Sequence, residues 1–150
     1  IKNVSIIPDQ KFIQIELVGG GFYGGLDKVY KNNLIIKNNG QLTREIETEL
    51  NGLRVTRRNI PRAQLDSLIA YMEKSKFFDW PQIYNCENRA CMERFNQSPR
   101  PIALRLAVTY GSKRKIVVVS LWDGKGRDQA LIDYPRELDI IIQTLENMTL

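Results

Sequence analysis

The chain has 150 residues, 43% hydrophobic and 26% charged, with 22 Lys and Arg against 17 Asp and Glu for a formal charge of +5. That composition fits one globular domain able to bury roughly 70% of the surface its unfolded chain would expose. No apolar run nears the roughly 20 residues that cross a bilayer. Histidine is absent, which excludes Ser-His-Asp and Cys-His catalysis, an imidazole base and histidine metal ligands.

Residues 11–18 alternate Ile13, Ile15 and Leu17 with Gln14 and Glu16, the period-two pattern of a half-buried strand. The strand runs into Gly19-Gly20-Gly21-Phe22-Tyr23-Gly24-Gly25. Consecutive glycine amides can nest an anion, but no Gly-Lys-Ser/Thr follows, and the next segment reads as strand rather than helix. The reading is a glycine-permitted bend that exposes Phe22 and Tyr23 as contact residues for a partner.

Val29 to Lys37 forms a second strand, and Asn38-Asn39-Gly40 predicts a tight hairpin into a third at residues 41–48. Glu45, Glu47 and Glu49 share one face of it. Carboxylates on one strand do not face each other across a cleft, so they read as a solvated edge rather than glycosidase chemistry. Leu53 and Val55 suggest a short fourth strand stopped by Asn59.

Asn59 then reads as the cap of a helix over about residues 61–76, with Pro61 in its first turn. Leu65, Leu68, Ile69 and Met72 have the spacing of one apolar helical face. The exit Phe77-Phe78-Asp79-Trp80-Pro81 predicts aromatic side chains sealing the helix against a sheet, with Pro81 preventing continuation.

Residues 82–100 read as an irregular, polar loop holding Cys86 and Cys91, the two cysteines of the chain. Four residues separate them, too many for a thioredoxin-like C-x-x-C, and no second pair exists for a zinc site. A Cys86–Cys91 disulfide is expected, worth roughly 2 kcal/mol by loop entropy and implying an oxidising compartment.

Ile102, Leu104, Leu106 and Val108 alternate in the next strand, Gly111-Ser112 turns the chain, and Ile116 to Leu121 returns as a valine-rich strand. Ser112 and Lys115 match S-x-x-K in letters only, because that motif needs a helix and these residues span a hairpin tip. Trp122 to Asp128 forms a second glycine-containing loop whose Asp123 and Asp128 miss the EF-hand spacing. Asp133 reads as the cap of a last helix that opens at Pro135 and buries Leu138, Ile141, Ile142 and Leu145.

The order is β-β-β-(β)-α-β-β-α, strands followed by a proline-opened helix twice over. This predicts one α+β domain: an antiparallel sheet of about five or six strands with two helices on one face. Its two sheet-plus-helix units, about 1–81 and 101–150, are joined by loop 82–100.

Residues 51–100 hold nine basic against five acidic side chains, with Arg54, Arg57, Arg58 and Arg62 clustered; Lys113, Arg114 and Lys115 sit at a turn. These read as solvated strand ends and hairpin tips. No RNA-binding or helix-turn-helix signature accompanies them, so no nucleic-acid partner is expected. N-x-S/T sequons at Asn3, Asn96 and Asn147 matter only if the source is eukaryotic.

Gly-Gly-Gly-Phe-Tyr-Gly at 19–24, Asn-Asn-Gly at 38–40 and the Phe77-to-Pro81 helix exit resemble bacterial extracytoplasmic domains of unknown function, over about residues 11–81. The resemblance implies a periplasmic, cell-surface lipoprotein or secreted location, and no catalytic residues. The two sheet-plus-helix units are similar, more distantly, to the beta-lactamase inhibitor protein architecture, a likeness of fold and not of function. The chain opens at Ile1 rather than Met, and the expectation is a removed upstream segment, either a signal peptide or a lipoprotein leader that tethers the domain to a membrane.

The functional expectation is a non-enzymatic module that binds another protein through loops at one end of the sheet. Phe22, Tyr23, Trp122, Asp123 and Arg127 are its contact residues; no cofactor, metal ligand or catalytic residue is assigned. The alternative is a small-ligand-binding or hydrolytic domain using Asp123, Asp128 and Arg127. Convergence of the glycine, cysteine and Trp122 loops at one sheet end favours the first, and a pocket gathering those three charged side chains favours the second.

Overall fold

The computed structural model describes residues 10–20, the backbone of 22–23, and residues 26–150. Among them the strands are β1 (Ile13–Gly19), β2 (Phe22–Tyr23), β3 (Val29–Ile36), β4 (Gln41–Thr48) and β5 (Gly52–Asn59), followed by helix α1 (Arg62–Lys74). The second part comprises β6 (Ile83–Tyr84), α2 (Arg89–Phe95), β7 (Arg100–Pro101), β8 (Leu104–Tyr110), β9 (Lys113–Val119) and α3 (Glu137–Asn147). The fold class is α+β.

One seven-stranded sheet runs β5-β4-β3-β1-β8-β9-β6, and β2 pairs with β7 in a separate ribbon. Neighbours are antiparallel except β6, which lies parallel to β9. The two units meet at the centre, where β1 pairs with β8 in the register Ile15↔Val108 and Leu17↔Leu106. On the other side of β1, Ile15 faces Ile36 and Leu17 faces Leu34.

Residues opposite one another in a ladder share a face. One face therefore collects Ile13, Ile15, Leu17, Leu34, Ile36, Leu42, Leu104, Leu106, Val108, Val117 and Val119, all buried. Onto it pack Leu65, Leu68, Ile69 and Met72 of α1 and Leu138, Ile141, Ile142 and Leu145 of α3. Each fully buried aliphatic side chain of this kind contributes roughly 1.5–3 kcal/mol against leaving it in water.

The helix exit is sealed by aromatics. Phe77 is buried and meets Phe78 and Trp80 edge-on at centroid distances of 5.4 and 5.2 Å. The Trp80 indole N–H donates to the Ser75 carbonyl at 2.9 Å, satisfying the one polar atom of a buried ring.

Several expectations are corrected. The main sheet has seven strands rather than five or six, because β5 is eight residues long and β6 adds to β9. The stretch 82–100 is not irregular throughout: it contains β6, α2 and the first residue of β7. Asn59 does not cap α1. It ends β5 opposite Gln41, and the helix opens after Pro61 with no side-chain cap. Asp133 does not cap α3 either, since its carboxylate binds Arg127.

Candidate functional site

The ladder register dictates which loops can meet. Gly19 lies opposite Leu104, Leu104 opposite Val119, and Val119 beside Tyr84. The segments after β1, β6 and β9 and the segment before β8 therefore emerge at the same end of the sheet. The start of the glycine segment at Gly20, the cysteine loop and the Trp122–Asp128 loop emerge there, and the Gly20 amide donates to the Ala103 carbonyl at 3.1 Å.

A disulfide joins Cys86 to Cys91 across a Cα–Cα distance of 5.3 Å. Asn88 caps α2, its Oδ1 accepting the Cys91 amide at 2.8 Å. Cys91 is fully buried in the main core, with Cys86 packed against it. The bond therefore anchors a seven-residue helix that buries one side chain and would be unstable alone.

One flank of this anchored helix is apolar and open, beside the exposed Arg89–Glu93 pair. Met92 is 57% exposed and Phe95 42% exposed. With Asn85, Cys86, Asn96 and Ser120 they line a groove of about 450 Å³. The Ser120 hydroxyl bonds the Asn85 side chain on its wall, and the Ser120 amide donates to the Tyr84 carbonyl at 3.0 Å. The groove thus sits on paired backbone. Met92 and Phe95 were not among the residues expected from the sequence. The usable signal was Asn88 three residues before Cys91, an N-cap pattern, together with Arg89 and Glu93 at ion-pair spacing.

The expected contact residues behave differently from one another. Phe22 and Tyr23 pair through their backbones with Pro101 and Arg100, and their side chains lie outside the described residues. Trp122 is not a surface contact: it is buried, packs on Tyr134 at 5.1 Å between centroids, and covers Gly20. A Cβ on Gly20 would sit 3.1 Å from the indole, so glycine there lets the tryptophan close down on the backbone. Its burial follows from ring area, the largest apolar surface in that loop.

Arg127 bonds the Asp133 carboxylate, donates through Nε to the Tyr134 carbonyl at 2.9 Å and stacks over the Tyr134 ring. Asp128 pairs with Arg136. Two cavities beside this loop are lined by neither Arg127 nor Asp128, and among the described residues Asp123, Asp128 and Arg127 share neither of them. Both partners instead stitch the loop to the start of α3. Asp139 completes the stitching: its carboxylate accepts the Arg127 amide at 2.7 Å and the Tyr134 hydroxyl at 2.6 Å. Burial, reinforced by that bond to Asp139, raises the Tyr134 phenol far above its usual range.

Asp123 does reach a cavity, of about 190 Å³, shared with Asn32, Arg44, Trp122 and Glu146. Arg44 projects from β4 toward the helix-covered side, because it lies opposite the buried Leu34. Its Nη2 donates to Asn32 Oδ1 at 2.8 Å, and Asn32 in turn donates to the Gly19 carbonyl at 3.2 Å. Its Nε is buried with no hydrogen-bond partner among the described residues. Desolvation lowers the guanidinium pKa, and Glu146 partly offsets this.

Among the described residues, no cluster of three or more Cys, Asp or Glu side chains is placed to hold a metal ion. No described helix is long and apolar enough to cross a membrane. Compared with known proteins, the chain matches no family model and no curated sequence.

Proposed function

We propose that this is a non-enzymatic binding domain that engages another protein through the loop end of its sheet, at the groove flanked by Met92 and Phe95. The carrying observation is the exposure of these two side chains on a short helix held in place by the Cys86–Cys91 bond. A rigid aromatic anchor beside an adaptable thioether, next to a preformed groove, is the composition of an interaction hot spot. Ordering the helix in advance lowers the entropic cost of association.

The disulfide supports an extracytoplasmic location, since such bonds persist in oxidising compartments. The resemblance of the glycine turn, the Asn-Asn-Gly hairpin and the aromatic helix exit to bacterial envelope domains points the same way. We read the protein as periplasmic, surface-anchored or secreted.

The test is partner capture from an envelope extract by the wild-type domain, by Met92→Ala/Phe95→Ala, and by Ile140→Ala on the far helical face. A partner retained by wild type and Ile140→Ala and lost at least tenfold by the double variant supports the reading. Equal retention by all three removes it.

One observation favours a second reading: the buried, incompletely bonded Arg44 beside Asp123 and Glu146 in a 190 Å³ cavity. Opposite charges lining one cavity suit a small zwitterion, with Arg44 taking its carboxylate and Asp123 or Glu146 its amine. Titrating free α-amino acids while following the Trp122 fluorescence tests it. A saturable change abolished by Arg44→Met supports this reading, and a flat response removes it.

A further inference from the structure

β5 is an eight-residue edge strand with two unlike faces. It pairs with β4 alone among the described residues, so the outward half of its backbone donors and acceptors has no strand partner there. Through the ladder, Arg54, Thr56 and Arg58 share a face with Ile46, Arg44 and Leu42, whereas Leu53, Val55 and Arg57 share the other with Glu47, Glu45 and Thr43. The strand carries three arginines and no acid, and Leu53 and Val55 are exposed.

None of the three arginines forms a salt bridge among the described residues. Arg58 donates to the carbonyls of Arg57 and Leu150, and Arg54 acts on the Asp27 carboxylate only through space. Eight residues of unpaired edge form a template for an added strand.

We propose that the outer edge of β5 accepts an extended segment of another protein in which acidic and apolar residues alternate. Main-chain hydrogen bonds to the edge supply the affinity. Acidic side chains on one face meet Arg54 and Arg58, while apolar ones on the other meet Leu53 and Val55; opposite-charge and apolar cross-strand pairs each favour this register. A second copy of the chain is the wrong occupant, because pairing β5 with itself brings the same arginines together. A nucleic acid fits less well, since β5 has no aromatic side chain on which bases could stack. The arginines thus keep the edge from pairing with itself and at the same time select an acidic strand.

This inference concerns β5 and does not rest on the groove beside α2. The test uses a peptide of alternating Glu and Val, a block-ordered isomer of the same composition, and a version N-methylated at alternate residues. We expect the β5 amides not bonded to β4 to gain exchange protection with the alternating peptide only. Arg54→Glu/Arg58→Glu should weaken that peptide at least about tenfold and accept an alternating Lys-Val peptide instead, which also shows that the variant folds. Equal binding of the block or N-methylated peptide, protection mapping away from β5, no binding at all, or equal competition by single-stranded DNA would each overturn the proposal.

Discussion

The amide of Cys91 donates to Oδ1 of Asn88 at 2.8 Å, so the residue that closes the disulfide also completes the helix cap. Covalent and hydrogen-bonded constraints converge on one turn. Cys86→Ala/Cys91→Ala should therefore lower the unfolding free energy by roughly 2 kcal/mol, and Asn88→Ala by about 1 kcal/mol. Denaturant unfolding measures both. Amide exchange should accelerate first in residues 89–95.

The tip of the β3–β4 hairpin holds the approach to α1. Gly40 has φ 86°, and its carbonyl accepts the Ile60 amide at 2.8 Å. A Cβ there would lie 2.4 Å from the Ile60 carbonyl oxygen. Gly52 also has positive φ, at 66°, but nothing lies within 4 Å of its Cβ position. Gly52→Ala should cost about 1 kcal/mol, the backbone strain alone. Gly40→Ala should cost clearly more, and thermal unfolding of the pair separates strain from collision.

Tyr134 sets an alkaline limit. Its folded-state pKa is raised above the ordinary 10.0 by burial first and the Asp139 bond second. Above that pH the unfolded chain loses the phenolic proton while the folded chain keeps it. The stabilisation is therefore complete below about pH 10 and is lost as pH rises beyond it. Tyr134→Phe should unfold with a shallower pH dependence above pH 10, at a cost of about 1 kcal/mol near neutrality for the lost bond to Asp139.

The apolar periodicities made much of the fold legible. Ile13, Ile15 and Leu17 alternate and are buried; Leu65, Leu68, Ile69 and Met72 have helical spacing and face the sheet. The Asn-Asn-Gly turn and the aromatic exit at Phe77 to Trp80 follow from local chemistry in the same way. What was not legible depends on contacts far apart in sequence. The β1–β8 pairing that joins the two units has no local signature. Asn59 has the side chain of a helix cap, yet the ladder to Gln41 claims its backbone for the sheet. α2 buries only Cys91, so no apolar stripe marked it. The candidate site suffered accordingly: Trp122 lies in a polar glycine loop but closes onto Gly20, and Met92 and Phe95 come into view only once α2 exists.

The α2 groove is proposed to meet a partner protein. A photo-reactive phenylalanine analogue placed at Phe95, and separately at Ile140 on the α1–α3 side, tests it most directly. Both positions are exposed, at 42% and 50%, so accessibility does not bias the comparison. In an envelope extract we expect one discrete crosslinked species from position 95 and none from position 140. The reverse pattern, or the same products from both positions, would contradict it.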